Sequence, residues 1–252
     1  EGDVSLSYFD QCASLPGLKD SRPSLKLVNA QVLQNVAGRI DLAFKAFFRR
    51  AKAGGEKPGY PRFKGWGWYD SFTYPQVPNV CKVEGGAVVL SRLGQVKAKV
   101  HRPLAGIPKT CTVKRAPAGK WYVTFACENV PADVVPDSQE AVGIDVGLTH
   151  FAVLSDGETI ENPRFFRKEE LALARAQRRL SREAKGTAQR HRRKKVVARV
   201  HERIGNRRRD FAHQHSRRIV NRFGVIAVED LAVNRMVHNR CLSKSISDAG
   251  WS

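Results

Sequence analysis

No stretch of this sequence approaches the roughly twenty consecutive apolar residues that a membrane-spanning helix requires. Cysteine is scarce and dispersed: Cys12, Cys81, Cys111, Cys127 and Cys241 are the whole set, and no two stand at metal-ligand spacing. An odd number of thiols without a signal peptide favours reduced thiols in a cytoplasmic setting. Acid is the second shortage. Against 44 Lys and Arg stand 24 Asp and Glu, giving a formal net charge of +20 and a pI of about 10.2. Such an excess makes neutralising a polyanion the natural role. Residues 1 to 20 have neither a starting Met nor a clear hydrophobic period, so the chain reads as cut from something longer.

What is present begins with Gly143-Ile144-Asp145-Val146-Gly147-Leu148-Thr149-His150. An apolar strand ends on a carboxylate with a glycine two residues to either side, where backbone turns tightly and no side chain blocks a phosphate or an ion. A second strand, Phe151 to Leu154, runs into Ser155-Asp156-Gly157, a hairpin turn signal, and Glu158 to Glu161 makes a short third. Sugar kinases and chaperone ATPases open their phosphate sites with a similar Gly-x-Asp-x-Gly. That reading needs a second phosphate loop and an adenosine motif, and neither follows Glu229.

Upstream, the spacing predicts a helix from Ser24, with Leu27, Ala30, Gln31, Gln34, Ile40, Phe44, Phe47 and Phe48 at roughly a 3.6-residue period, Ile40, Phe44 and Phe47 packing into a core, and Gly54-Gly55 as its end. Next, Gly59-Tyr60-Pro61-Arg62-Phe63-Lys64, Trp66, Trp68, Tyr69 and Ser71-Phe72-Thr73-Tyr74-Pro75-Gln76 interleave aromatic and basic residues. That pattern stacks bases and pairs phosphates, and it equally suits a strand and loop packed on a small barrel. Short alternating segments at Ala87–Leu90, Val96–Val100, Thr110–Lys114 and Trp121–Cys127 predict a compact β-module, in which His101 is a packing or phosphate residue. Pro131 to Pro136 reads as a linker.

Beyond it the chain turns to basic helices, expected over Glu169–Glu183 and from about Gln189 to Phe223. Between Arg164 and Arg222 cations outnumber acids by more than three to one, a density that repels itself unless a polyanion is present. Phe223-Gly224-Val225-Ile226-Ala227-Val228-Glu229-Asp230 then forms a second strand finishing on acid. Glu229 and Asp230 face opposite ways, so only one can join Asp145. Two carboxylates brought to neighbouring strand ends are the core of a two-metal phosphodiester site.

These residues, with Ser245-Ile246-Ser247-Asp248-Ala249-Gly250-Trp251 and Phe47-Phe48-Arg49-Arg50 upstream, resemble the TnpB (OrfB) transposon proteins, relatives of the type V CRISPR effectors. The resemblance implies an α+β multidomain chain. Residues 1–54 would be part of a helical recognition region, 55–138 a small wedge-like β-barrel and 139–252 an RNase H-like (RuvC) nuclease domain incomplete at its C-terminus. It implies RNA-guided, Mg²⁺-dependent endonuclease action on double-stranded DNA beside a short adjacent motif, with a guide RNA from the transposon end. Asp145 and Glu229 match the family's first two catalytic, metal-binding carboxylates. Arg62, Phe63, Lys64, Tyr74, Arg178, Arg179, Arg182, Arg192, Arg193, Lys194, Lys195, Arg207 and Arg208 are the expected nucleic-acid contacts. A third catalytic aspartate and a Zn²⁺ ribbon, which follow in the family, are absent here, so this chain is expected to be inactive alone; Asp248 suits a helix start instead. A nuclease-dead RNA- or DNA-binding regulator of the same descent stays open as the alternative.

Overall fold

A computed structural model describes residues 7–54, 58–65, 67–77, 79–134 and 137–251. Gly55, Trp66 and Pro136, named above, lie outside the described residues. The chain divides into two compact units, residues 1–116 with 120–132, and 117–119 with 133–252.

The first unit opens on helices that the sequence pattern did not predict, α1 (Tyr8–Ala13) and α2 (Leu15–Ser21), followed by a 3₁₀ turn, Pro23–Leu27. Neither helix buries a residue, which is why no apolar period marks them. Capping sets α1 instead. The Ser7 hydroxyl accepts from the Asp10 amide at 3.2 Å while the Asp10 carboxylate accepts from the Ser7 amide at 2.9 Å. Helix α3 (Ala30–Ala53) starts where Asn29 accepts from the Gln31 amide at 2.9 Å and stops at Gly54, whose φ of 70° suits glycine. Its buried residues are Val32 and Ala37; the predicted start at Ser24 is corrected, since Leu27 falls in the 3₁₀ turn, and of the predicted core residues Ile40 is exposed. Phe44 and Phe47 meet the ring of Tyr60 edge-on, with centroids 5.5 and 5.3 Å away.

The predicted barrel is corrected: among the described residues the strands of this unit close no barrel. β1 (Ser71–Tyr74), β5 (Ile107–Arg115) and β6 (Trp121–Glu128) form one antiparallel sheet in the order β1-β5-β6. β2 (Cys81–Glu84), β3 (Ala87–Leu90) and β4 (Gly94–Lys97) form a separate meander. Pro75 follows β1 directly and Pro103 sits between β4 and β5. A residue without an amide proton cannot extend a ladder at those places. Both sheets nevertheless share one core with Val32 of α3: Tyr74, Cys81, Val88, Leu90, Cys111 and Val113. Within it the Cys81 thiol donates to Cys111 Sγ at 3.2 Å, and burial pushes both thiols up, so they pack as small neutral groups.

The second unit is a four-stranded sheet with helices. β7 (Ala141–Asp145), β8 (His150–Leu154) and β9 (Thr159–Glu161) run antiparallel in succession, and β10 (Val225–Val228) pairs parallel to β7, giving the order β10-β7-β8-β9. The predicted hairpin turn is present: Asp156 accepts from the Glu158 amide at 2.9 Å and Gly157 has a φ of 90°. Between β9 and β10 run α4 (Phe165–Ser181) and α5 (Ala188–Val220), and α6 (Val233–Met236) and α7 (Ser243–Ala249) follow β10. Val142, Ala152, Leu154 and Ile160 of the sheet bury against Ile219 and Phe223, with Ile144, Phe211 and Ile226 packed around them. Gly224 starts β10 so close to the chain before β7 that a Cβ there would lie 1.7 Å from the Ser138 carbonyl oxygen. Its amide and that of Val225 both donate to the Glu140 carbonyl.

Helices α4 and α5 form a hairpin around Leu173, Val200 and Ile204. At its turn the Thr187 hydroxyl accepts from the Arg190 amide, and the Arg190 guanidinium donates to the carbonyls of Leu180 and Glu183 at 3.0 and 2.8 Å, satisfying the end of α4. At its base Glu169, nearly buried, accepts from Arg203 and Arg207, each at 3.1 Å. Asp248 does serve a helix start, but not that of its own α7. Its carboxylate accepts from the amides of Phe166 at 2.7 Å and Arg167 at 3.2 Å in the first turn of α4, and from Arg208 at 2.8 Å.

On α5, the Nδ1 of His215 is buried without a partner and its ring lies 4.3 Å from that of Phe211. Desolvation first, then the Arg218 charge, holds its pKa below the ordinary value, against the pull of Glu158. The folded state therefore disfavours the protonated imidazole. The stability tied to His215 is present above its unfolded pKa and is lost as pH falls through it toward the depressed folded value. Urea midpoints measured at pH 7.5 and 5.5 should fall on acidification in wild type and fall less in His215→Phe; equal falls would mean His215 is not the titrating group.

Candidate functional site

Strand parity decides which side chains leave the core. Val142 and Ile144 of β7 belong to the packed face, so Gly143 and Asp145 project from the other. In β10, Ile226 packs inward, so Val225 and Ala227 project outward, and Glu229 lies just past the strand's last residue. The parallel register pairs Ala227 with Gly143 and Val228 with Ile144. Asp145 is the last residue of β7, and Glu229 follows directly on Val228, the last residue of β10.

The two acids accordingly line one open cleft of about 430 Å³, whose walls are Gly143, Ile144, Asp145, Val153, Leu154, Ser155, Ala227, Val228 and Glu229. Asp230 is not among them. Small residues pair behind the acids, Ala227 with Gly143, and the Ser155 side chain lies over Gly143, 3.7 Å from where a Cβ would stand. Ser155 was missed as a site residue when read only as part of a turn. Its hydroxyl accepts from the Gly143 amide at 3.0 Å, and its amide donates to the Gly143 carbonyl at 2.9 Å. The β7–β8 pairing that brings it there is legible only once the hairpin is built.

Two carboxylates are hard oxygen donors of the kind Mg²⁺ takes. Among the described residues no group of three His, Cys, Asp or Glu converges as a metal site. The cleft thus offers two anionic ligands and open space beside them.

The predicted nucleic-acid residues divide by what holds them. Phe63 is 96% exposed, Arg62 and Lys64 are exposed beside it, and the Lys64 ammonium lies 5.6 Å from the Tyr69 ring centroid. Tyr74 is corrected: it is 2% exposed and its hydroxyl donates to the Ser91 carbonyl at 2.8 Å, so its ring belongs to the core and presents no face to a base. On the hairpin, Arg178, Arg179 and Arg182 are exposed on α4 and just past it, and Arg192, Lys194 and Lys195 on the first turns of α5. Arg193 is half-buried, 3.5 Å from Glu183. Arg207, exposed, pairs with Glu169, and Arg208, half-buried, pairs with the buried Asp248.

No helix among the described residues is long and apolar enough to cross a membrane. Residues 124–240 match the family OrfB_IS605, described as "Probable transposase". A protein of Streptomyces pristinaespiralis named "Putative RNA-guided DNA endonuclease" is 35% identical over 253 residues, covering 98% of this chain and 61% of its own length. Another of Escherichia coli (strain K12), "Putative RNA-guided DNA endonuclease InsQ", is 33% identical over 242 residues, with 90% of this chain and 58% of its own length covered. The chain spans about three fifths of the length of these curated relatives. With the order of its motifs, these matches make the chain a member of the OrfB (TnpB) family of transposon proteins.

Proposed function

We propose that this chain carries the first two carboxylates and a nucleic-acid-binding part of an RNA-guided DNA endonuclease, with an RNase H-like second unit. The observation that carries the reading is the shared cleft of Asp145 and Glu229 at the ends of the parallel pair β7 and β10. Asp145 and Glu229 would hold Mg²⁺ there, and the ion would supply the Lewis acidity that phosphodiester hydrolysis draws on. The remaining work falls to the chain. Asp145 and Glu229 place two negative charges at one point of a strongly basic molecule, which concentrates cations where the scissile phosphate must come. The surplus of Lys and Arg neutralises guide RNA and target DNA, the partners that the relatives' names suggest.

The test is guide-programmed plasmid cleavage, with Mg²⁺ and with EDTA, by this chain and by a chain extended to its relatives' length. Binding by both and EDTA-sensitive cutting by the extended form alone is the expected result. Robust cutting by residues 1–252 would place a further ligand within them. A nuclease-dead RNA- or DNA-binding regulator of the same family is the second reading. Binding without cutting at both lengths would establish it.

A further inference from the structure

The cations of the α4–α5 hairpin are not equivalent, and the ion pairs sort them. Arg203 and Arg207 hold Glu169, Arg208 holds Asp248, Arg218 holds Glu158, and Arg222 holds Glu158 and Asp156. These arginines knit the base of the hairpin to the rest of the unit. The outer face of α4 is different. Arg175, Arg178, Arg179 and Arg182 follow the spacing i, i+3, i+4, i+7 and form one stripe, with Lys168 one further repeat before it. The stripe lies opposite Leu173 and Ala176, which α4 buries. All five cations are exposed, and none forms an ion pair among the described residues.

No acid shares that face. Every carboxylate of α4 and its end is drawn elsewhere: Glu169 to Arg203 and Arg207, Glu170 to Arg167 and Lys244, Glu183 to Arg193. Like charges at helical neighbour spacing destabilise a helix by about 0.2–0.5 kcal/mol per pair. The stripe therefore opposes folding unless an anion arrives. It carries no aromatic residue either, since Phe165 and Phe166 pack into the hairpin core. A surface that grips single strands needs rings for unstacked bases, whereas a duplex hides its bases and offers only phosphates. From Lys168 to Arg182 the helix rises about 21 Å, a length over which one strand of a duplex presents about six phosphates.

We propose that the outer face of α4 is the docking surface for a nucleic-acid duplex, gripped through its phosphate backbone and blind to sequence. This rests on the nucleic-acid reading given above and specifies which cations serve it and what form of nucleic acid they meet.

The experiment is fluorescence anisotropy over a salt series, with a 20-base-pair RNA duplex, a DNA duplex of the same length and a single-stranded RNA. Three proteins are compared: wild type, Arg175→Gln/Arg178→Gln/Arg179→Gln/Arg182→Gln, and the same four changed to Lys. With about 0.9 of slope lost per phosphate contact, the Gln variant should show a log K against log [salt] slope shallower by about 3–4. Its duplex affinity should fall at least about 100-fold near 0.1 M salt. The Lys variant should keep the slope, and single-strand affinity should change less than about three-fold in either. Should the Gln variant unfold, the pair Arg178→Gln/Arg182→Gln is read for half that change. Unchanged duplex binding in the Gln variant overturns the proposal while leaving the nucleic-acid reading in place. Equal losses for duplex and single strand overturn the duplex assignment. A wild-type protein that binds none of the three probes overturns both readings.

Discussion

Asp145→Ala, introduced into the chain extended to its relatives' length, should abolish guide-programmed cleavage while leaving nucleic-acid affinity intact. The expected loss is at least about 10³-fold, equivalent to about 4 kcal/mol on the barrier. Asp145 ends β7 on the face away from the packed core, and it is exposed, so removing its side chain opens no cavity. Taking away a negative charge from a protein of net charge +20 cannot weaken its hold on a polyanion through electrostatics. A drop in cutting with constant binding therefore isolates the carboxylate's part in metal-assisted chemistry. Glu229→Gln should behave alike, because it lines the same cleft. Asp230→Asn, outside the cleft lining, should cut normally. Cleavage that survives Asp145→Ala, or that dies with Asp230→Asn, would sink the assignment of the site.

The second large effect is on stability. Asp248→Ala should destabilise the second unit by about 3–5 kcal/mol, because it strips the partly buried Arg208 of its counter-charge and orphans amides at the start of α4. Only 4% of the Asp248 side chain is exposed, so water reaches the helix amides poorly once it is gone, while Arg208 keeps 25% of its side chain in solvent. Asp248→Asn keeps an acceptor for the helix amides and should cost less, about 1–2 kcal/mol, in line with a helix cap. Urea unfolding followed by circular dichroism reads both. A loss under about 1 kcal/mol for the alanine variant would show that the carboxylate is dispensable.

The contrast between these two aspartates shows where the sequence speaks plainly. Asp145 announces itself: glycines on either side, an apolar strand before it, and a second strand-plus-acid eighty residues on. The strands and long helices of the second unit also follow from period and turn residues, because each depends on neighbours within a few positions. Asp248 carries no such signal. Its partners, the amides of Phe166 and Arg167, lie 82 and 81 positions away, and only the folded chain brings them together. The same holds for Tyr74. Read locally it is one aromatic among several, but the two sheets of the first unit close over it. The capping box of α1 was readable as Ser7 and Asp10, yet without a buried face nothing in the hydrophobic pattern drew attention to it. The arginines divided in the same way. Their number could be read along the chain, whereas whether each was already taken by an acid could not.

The close approach of Gly224 to Ser138 makes the second unit a measuring device. Because side chains alternate along a strand, a shift of β10 by a single residue would carry Glu229 to the packed face and bring Asp230 up beside Asp145. Nothing in the chemistry of two adjacent acids tells them apart; their distance from a fixed point does. Gly224 is that point, seated against backbone where no other residue fits, and the five residues from it to Glu229 are the length being measured. Point substitutions within β10 should therefore be tolerated more readily than the loss or gain of one residue between these two positions.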